Sequence, residues 1–314
     1  MPEWLYEAGI GEARAALVDD GRIVEALVET DDTGPLVGAI HRARLVELIP
    51  VRRGRVTLDG GAEVLVGTLP PGITQGSALT VAITREQMWE AVRLKPAKAI
   101  PTDDAPTAGP DLLARLHATG HPVRAVRAHE PDLLEQAGWS EVLEEARTGD
   151  IDFTGGTLRM TPTPAMTLFD VDGAPPADAL ALAAAPVVAA AIRRHAIGGS
   201  IGIDFPTVEG KAGRHAVAMA IDEHLPPPFE RTAMNGFGFL QIIRPRPRAS
   251  LPERLRADPV GAATRALLRQ IERTPPGGPR RHRVSPAVHA RLTARPDWLA
   301  ELTRRTGVVM EWDI

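Results

Sequence analysis

The 314-residue sequence contains no cysteine and few aromatic residues, with six Phe, five Trp and one Tyr. Without cysteine, neither disulfide bonds nor thiolate zinc sites can form. A long hydrophobic run is also missing. The most apolar stretch, residues 177–192, is mostly alanine, contains Asp178 and Pro186, and is too short to span a membrane. Acidic residues precede any apolar run at the N-terminus, so we expect no signal peptide and a cytoplasmic location.

The sequence also has no excess of basic residues, and its formal net charge is −4. This balance argues weakly against a large, non-specific nucleic-acid binder. The arginines nevertheless gather in three groups, namely Arg42, Arg44, Arg52, Arg53 and Arg55; Arg244, Arg246 and Arg248; and Arg280, Arg281 and Arg283. Most basic clusters are solvated surface, so each group alone is poor evidence for a binding site.

The composition, with 44% apolar and 24% charged residues, is typical of a soluble globular protein of two or three domains. Residues 13–29 predict a hairpin around Asp19-Asp20-Gly21. Residues 38–84 contain four short strand-like pieces without a helical period, which predict a small β-barrel, with an OB-fold as one option. The pattern of residues 86–101 predicts a helical turn followed by a linker.

The second half of the chain has mixed α/β character. Residues 110–147 predict helix, strand and helix, and residues 155–173 predict two strands joined at 162–164. An alanine-rich helix over 177–195 leads to a strand that holds Asp204, which is followed by a helix over 212–225 and another strand. The tail, 251–314, predicts a helix, a Pro/Gly linker over 275–279, a strand, two short helices and a last strand.

Acidic residues stand at the ends of two of these apolar strands. Asp204 lies among Ile201, Ile203 and Phe205. An ionised carboxylate in apolar surroundings must be paired, bind a metal or shift its pKa and stay neutral. An Asp at a strand end can also simply begin a turn and cap the next helix, so both interpretations stay open.

A second strand end repeats the pattern, because Asp170 and Asp172 are two residues apart and therefore on the same face. Asp170 and Asp204 are 34 positions apart, about the length of a strand–helix–strand crossover. Such a unit places two parallel strands side by side with both carboxylates at their C-terminal ends, where open α/β sheets bind ligands. Oxygen-only ligands select Mg²⁺ or Mn²⁺, which usually serve phosphoryl chemistry.

Four segments carry a resemblance to a known family: GGTLRMTPTPAMTLFDVDG (155–173), ALAAAPVVAAAIRRHAIGGSIGIDF (181–205), GRHAVAMAIDEHL (213–225) and FERTAMNGFGFLQIIRPRPR (229–248). They resemble the ribonuclease E/G family of endoribonucleases. That family has a strand ending in a D-V-N-like motif, a helix leading to a Gly-Gly turn, and a strand ending in I-D-F. The resemblance extends more loosely to the N-terminal hairpin and the barrel region.

The resemblance implies that Asp170 and Asp204 bind a catalytic Mg²⁺, with Mn²⁺ as a possible substitute. Asp172 is expected to help position the attacking water, although it could instead join the ligand shell of the metal or alter the activity. Arg214 matches a basic family position near the RNA backbone, although an ordinary surface arginine is an equally good interpretation. Arg42, Arg52 and Arg53 on the barrel are further candidates for binding RNA phosphates.

The sequence departs from the family in several places. Asp172 stands where the family has Asn, and only residues 86–100 lie where the family has a domain that binds a 5′-monophosphate. The paired cysteines that join family protomers through zinc are absent, so no zinc-linked oligomer is expected, and the choice between monomer and dimer stays open. No Phe, Tyr or Trp occurs between Tyr6 and Trp89, so the barrel lacks aromatic residues on which bases stack.

These features predict a mixed α/β (α+β) protein with five segments. They are a ribonuclease H-like part, first segment (1–37); an OB-fold-like RNA-binding barrel (38–86); a linker and the second ribonuclease H-like segment (87–150); a deoxyribonuclease I-like catalytic domain (151–248); and a small C-terminal α/β domain (249–314).

The expected function is Mg²⁺-dependent cleavage of single-stranded RNA to 5′-phosphate and 3′-hydroxyl ends, in RNA processing or decay. An RNA-binding protein with weak or no nuclease activity is the alternative, and a phosphatase or another nuclease would use the same acids.

Overall fold

The computed structural model describes residues 1–90, 93–275 and 277–314, and it is a mixed α/β structure. Its first sheet has the strand order β11-β1-β2-β3, formed by β1 (Glu3–Ala8), β2 (Glu12–Asp19), β3 (Arg22–Thr30) and β11 (Val123–Ala125). The predicted hairpin is confirmed, because β2 and β3 pair antiparallel around Asp20 and Gly21, which both have positive φ. Positive φ at both central residues matches the twist of the flanking strands.

A closed five-stranded barrel follows, with the order β10-β6-β5-β4-β7. Its strands are β4 (Ile40–Ile49), β5 (Arg53–Leu58), β6 (Glu63–Val66), β7 (Ala78–Arg85) and β10 (Ala97–Pro101). Neighbouring strands are antiparallel except β6 and β10, which are parallel. The predicted barrel is confirmed, and alternate residues such as Val56, Val64 and Val81 fill its interior.

The predicted helical turn and linker over 86–101 are wrong for the described part of that segment. It forms a short hairpin of β8 (Met88–Glu90) and β9 (Arg93–Lys95), followed by β10, which closes the barrel. Residues 91–92 lie outside the described residues. In β10, Ala97 and Ala99 are buried while Lys98 and Ile100 are exposed. This period of two identifies a strand, but two alanines give a weak apolar signal beside Pro96 and Pro101.

The segment after the barrel returns to the first sheet. It contains α1 (Leu112–His117), β11, α2 (Leu133–Gln136) and α3 (Trp139–Thr148), and β11 pairs parallel with β1. The helix–strand–helix prediction is confirmed, with the last helix divided at Gly138, whose φ is +98°. Residues before and after the barrel therefore share one sheet and one core.

A six-stranded sheet forms the centre of the second half, in the order β12-β13-β14-β15-β17-β16. Its strands are β12 (Asp150–Phe153), β13 (Gly156–Pro162), β14 (Thr167–Gly173), β15 (Gly199–Asp204), β16 (Glu230–Arg231) and β17 (Phe239–Arg244). Helix α4 (Ala177–Arg194) connects β14 to the parallel strand β15, as predicted, and α5 (Gly210–His224) follows. Both helices pack on one face of the sheet, where small residues of α4 allow close approach to Phe169 and Ile203.

The C-terminal segment contains α6 (Leu251–Ala257), α7 (Pro259–Glu272), β18 (Arg281–Arg283), α8 (Pro286–Ala294), α9 (Pro296–Thr306) and β19 (Glu311–Asp313). The predicted order of elements is confirmed, although the first helix is interrupted at Asp258, which caps α7 before Pro259. The predicted linker over 275–279 falls partly on residue 276, which lies outside the described residues. Across the described chain, no helix has the length and apolarity needed to cross a membrane.

Candidate active site

The face of the six-stranded sheet opposite α4 and α5 is open. In β14, Phe169 and Val171 are buried against the helices, whereas Asp170 and Asp172 are exposed on the other side. This division follows from the alternation of side chains along a strand. The two carboxylates predicted to share a face therefore do so.

Asp170 and Asp204 are direct neighbours across the parallel pair β14–β15. Adjacent strands lie about 4.8 Å apart, so two carboxylates at partnered positions can reach one ion. The crossover through α4 makes the two strands parallel, since it returns the chain in the same direction beside β14. Asp172 lies two residues further along the same face, beyond the last residue of β15 that pairs with β14.

The expectation that Asp204 lies in apolar surroundings is wrong. Ile203 and Phe205 are buried, but Asp204 between them is exposed on the open face. Its carboxylate therefore needs no partner to offset desolvation, and burial does not argue for a metal at this position. What remains is the pairing of Asp204 with Asp170.

Five aspartates on the open face form what we call the acidic face: Asp150, Asp152, Asp170, Asp172 and Asp204. Cross-strand pairing aligns Asp150, Arg159 and Asp170 in one row and Asp152, Thr157 and Asp172 in the next. Arg159 is bound to Asp150, with its Nε 3.1 Å and its Nη2 2.9 Å from Oδ1. In the described residues, no side-chain hydrogen bond or ion pair engages Asp170, Asp172 or Asp204.

Arg159 was not identified from the sequence as part of this site. Its position beside Asp170 depends on the register of β13 with β14, which the local pattern around it does not encode. Because Asp150 holds its guanidinium, Arg159 leaves the Asp170 carboxylate available to a ligand.

The donor set fits a hard divalent cation. Over residues 1–90, 93–275 and 277–314, no group of three or more His, Cys, Asp or Glu side chains converges on one point. Two carboxylates with open positions suit Mg²⁺, which usually keeps several waters and binds through one or two carboxylates together with substrate phosphates. Asp170 and Asp204 would hold such an ion.

Arg214 lies in the helix layer, on the first turns of α5. It is half-buried, and its Nη1 donates a hydrogen bond to the carbonyl oxygen of Val208 at 3.1 Å. Val208 belongs to the segment that connects Asp204 to α5, so Arg214 fixes the connection directly after the acidic pair. It does not share a strand register with the acids.

The three barrel arginines lie on β4, on β5 and in the turn between them, outside the sheet of the acidic pair. Arg42 is exposed on β4, and no hydrogen bond or ion pair of its side chain is found in the described residues. Arg52 donates through Nε and Nη2 to the carbonyl oxygen of Leu69, and Arg53 donates through Nε to that of Pro50. Both therefore also stabilise the β4–β5 turn, where Arg52 has a φ of +51°.

His195 is not placed for catalysis. It ends α4, leads into the start of β15, and is fully buried, with Nε2 3.1 Å from Glu145 Oε2. Burial lowers the pKa of His195. The nearby Glu145 carboxylate acts in the opposite direction but does not outweigh burial. Burial disfavours the charged form of Glu145 and by itself would raise its pKa. The contacts with His195 and Arg194 outweigh burial and keep the pKa of that carboxyl below its usual range. This cluster joins α3 to α4 on the covered side of the sheet.

Comparison of the chain with protein-family models and with curated proteins gives no match. The arguments for function therefore rest on the residues of the acidic face and on the motifs that contain them.

Proposed function

We propose that the protein is a compact, cytoplasmic, Mg²⁺-dependent endoribonuclease that cleaves single-stranded RNA, similar to the ribonuclease E/G family. One observation carries this proposal. Asp170 and Asp204, the acids at the family's metal-binding positions, are direct partners across two parallel strands and have no protein partner of their own in the described residues.

The architecture supports the proposal in three further respects. The strand order of the barrel, with β6 and β10 as its parallel pair, is consistent with an OB-like domain that could bind RNA. The sheet shared by residues on both sides of the barrel fits a ribonuclease H-like part divided into 1–37 and 87–150. The two-layer unit of 151–248 fits a deoxyribonuclease I-like catalytic part.

The reaction follows from the positions of the acids. A bound Mg²⁺ would neutralise charge on the scissile phosphate and make a water more acidic. Asp170 and Asp204 would hold the ion at the end of β15, and the phosphate would approach that ion there. Asp172, on the same face, would accept a hydrogen bond from the attacking water and orient it in line with the bond to be broken. Attack on phosphorus with loss of the 3′-oxygen leaves a 5′-phosphate and a 3′-hydroxyl.

An RNA-binding protein with weak or no cleavage is the second candidate. Asp172 favours this second candidate. It stands where the family has Asn, and it adds negative charge where a phosphate must approach. In the described residues, no positively charged side chain bonds to Asp170, Asp172 or Asp204 to offset that charge. In this case the barrel arginines would bind RNA that the acidic face does not cut.

A cleavage assay separates the two candidates. Labelled single-stranded RNA is incubated with the wild-type protein, Asp170→Asn and Asp204→Asn, with and without Mg²⁺. Loss of a metal ligand removes several kcal/mol of transition-state stabilisation, so each variant should lose at least about 100-fold in Mg²⁺-stimulated rate. Asp152→Asn is the matched control, since it removes the same charge from the same face two strands away from β14.

Undiminished cleavage by both variants would remove this site from consideration. Wild-type protein that binds the RNA and does not cleave it in Mg²⁺ would favour the second candidate.

A further inference from the structure

One phenylalanine stands apart from the others. Phe237, in the connection between β16 and β17, is 85% exposed, whereas the other five phenylalanines are buried or half-buried. Single exposed apolar residues are common on protein surfaces, so exposure alone does not identify a function. Phe237 differs from such residues in two ways. Hydrogen bonds hold its backbone in place, and it lies near Asp204.

The backbone around Phe237 is held by several hydrogen bonds. Asn235 Oδ1 accepts from the backbone N–H of Phe237 at 2.9 Å and from that of Phe239 at 3.0 Å. The Asn235 N–H in turn donates to the Phe239 carbonyl oxygen at 3.0 Å. An aromatic ring presented on a backbone ordered in this way loses little conformational entropy when a ligand covers it.

Gly238 ties this loop to the acidic pair. Its carbonyl oxygen accepts a hydrogen bond at 3.2 Å from the N–H of Phe205, the residue directly after Asp204. Gly238 has a φ of +94°, and a Cβ there would lie 2.1 Å from the Phe205 carbonyl oxygen. A side chain at this position would clash with Phe205, so glycine allows the approach, and the backbone that carries Phe237 is held beside the end of β15.

The distance to the acidic pair suits a nucleotide. Asp204 is the cross-strand partner of Phe239, two residues from Phe237. Strand spacing and chain geometry limit the separation of the Phe237 and Asp204 Cα atoms to about 13 Å. The open face beside Asp204 is partly apolar, because Phe239, Leu168 and Met166 cover the neighbouring Gly202. RNA with a phosphate at Asp170 and Asp204 would therefore have a base within reach of the ring.

We propose that Phe237 stacks against an unpaired base next to the phosphate held at Asp170 and Asp204. The proposal rests on the proposed function, and it assigns to the catalytic part the aromatic contact that the barrel lacks. Stacking on a single ring is tolerant of sequence, because every base has a π-face. Phe237 would therefore position single-stranded RNA and discriminate against paired bases.

The test uses the full chain and single-stranded RNA containing 2-aminopurine, whose fluorescence falls on stacking. Titrations are run with Ca²⁺ in place of Mg²⁺, which keeps a divalent cation between the acidic pair and the phosphate, and gel electrophoresis checks that the RNA stays intact. Phe237→Ala should bind about tenfold more weakly, a change of about 1.4 kcal/mol, which lies in the range found for stacking residues. The quenching of 2-aminopurine should be lost as well.

Two further variants distinguish stacking from general apolar contact. Phe237→Trp should keep both affinity and quenching, while Phe237→Leu should behave like Phe237→Ala because it retains an apolar side chain without a ring. Met219→Ala is the matched control, since Met219 is an exposed apolar residue of α5 on the covered side of the sheet. It should bind like the wild type.

Wild-type affinity and quenching in Phe237→Ala or Phe237→Leu would overturn this proposal and leave the proposed nuclease intact. If the wild-type protein neither binds nor cleaves single-stranded RNA, the proposed function fails and the stacking role fails with it.

Discussion

The acidic face and the barrel surface both carry many charged side chains, but these side chains differ in their bonding partners. On the barrel, Arg44, Arg52 and Arg53 donate to backbone carbonyl oxygens, and Arg55 pairs with Glu47 and Glu63. On the acidic face, Arg159 engages Asp150, while Asp170, Asp172 and Asp204 have no such partner in the described chain. The barrel charges thus largely stabilise turns and strands, whereas the acidic face keeps three carboxylates available to a ligand.

The largest difference we expect is in stability, between a buried acid and an exposed one. Glu86 is 1% exposed and pairs with Arg248 and Arg254, joining the end of the barrel to α6 and to the segment before it. Glu86→Ala leaves buried charges unpaired and should lower the free energy of unfolding by about 3–5 kcal/mol. Asp204→Asn should change it by no more than about 0.5 kcal/mol.

Urea denaturation of the two variants measures both values. If Asp204→Asn proves as destabilising as Glu86→Ala, then Asp204 has a structural role and the contrast between the two surfaces is lost.

The next effect concerns Asp172. If its oxygen orients water, Asp172→Asn should keep much of the cleavage rate because the amide oxygen still accepts a hydrogen bond. Asp172→Ala should lose about 10²- to 10⁴-fold, the range typical of a positioned proton acceptor. Single-turnover kinetics at saturating RNA isolates this step. Wild-type rates in both the alanine and the asparagine variant would remove Asp172 from the reaction.

A smaller effect should separate the barrel arginines from one another. Arg42 has no side-chain partner in the described residues, so Arg42→Glu should remove one phosphate contact without disturbing a turn. The slope of log affinity against log salt should become shallower by about 0.7. Arg52→Glu with Arg53→Glu should also flatten the slope and weaken binding to all RNA sequences alike.

Arg280→Glu makes the same charge change in the C-terminal segment and serves as the control in these salt titrations. An unchanged slope in the Arg42 and Arg52/Arg53 variants would place the RNA on another surface.

The smallest effect should be the preference for RNA ends. Where the family has a 5′-monophosphate-binding domain, this chain has the hairpin β8–β9 and the barrel strand β10. We therefore expect cleavage rates of 5′-monophosphate and 5′-hydroxyl RNA to differ by less than about tenfold, or about 1.4 kcal/mol. A larger preference would show that a phosphate sensor lies on the hairpin or elsewhere.

Much of the candidate site could be predicted because its determinants are local. The spacing of Asp170 and Asp204 and the apolar helix between them indicate a crossover, which joins parallel strands that are commonly neighbours, as they are here. The exposure of Asp204 was also encoded, since Ile201, Ile203 and Phe205 occupy alternate positions and leave Asp204 on the opposite face. The apolar neighbours of Asp204 suggest burial, whereas the alternation of side chains along the strand places Asp204 on the open face.

The remaining features depend on contacts between distant segments. Arg159 lies beside Asp170 only through the register of β13 with β14. Strand β10 is identified by its pairing with β6 and β7, which come earlier in the chain, and not by its own residues. The support of Phe237 depends on the hydrogen bond from Phe205 to Gly238, more than thirty positions away along the chain. Sequence periodicity reports which face a residue occupies, and it does not report the partner across the strand.

The central claim is that Asp170 and Asp204 together hold one divalent cation. Electron paramagnetic resonance tests it directly, since the signal of free Mn²⁺ decreases when the ion binds to protein. We predict a single bound Mn²⁺ per wild-type chain, displaced by Mg²⁺, lost in both Asp170→Asn and Asp204→Asn, and retained in Asp152→Asn. Equal Mn²⁺ binding by the wild type and by both the Asp170 and Asp204 variants would contradict the claim.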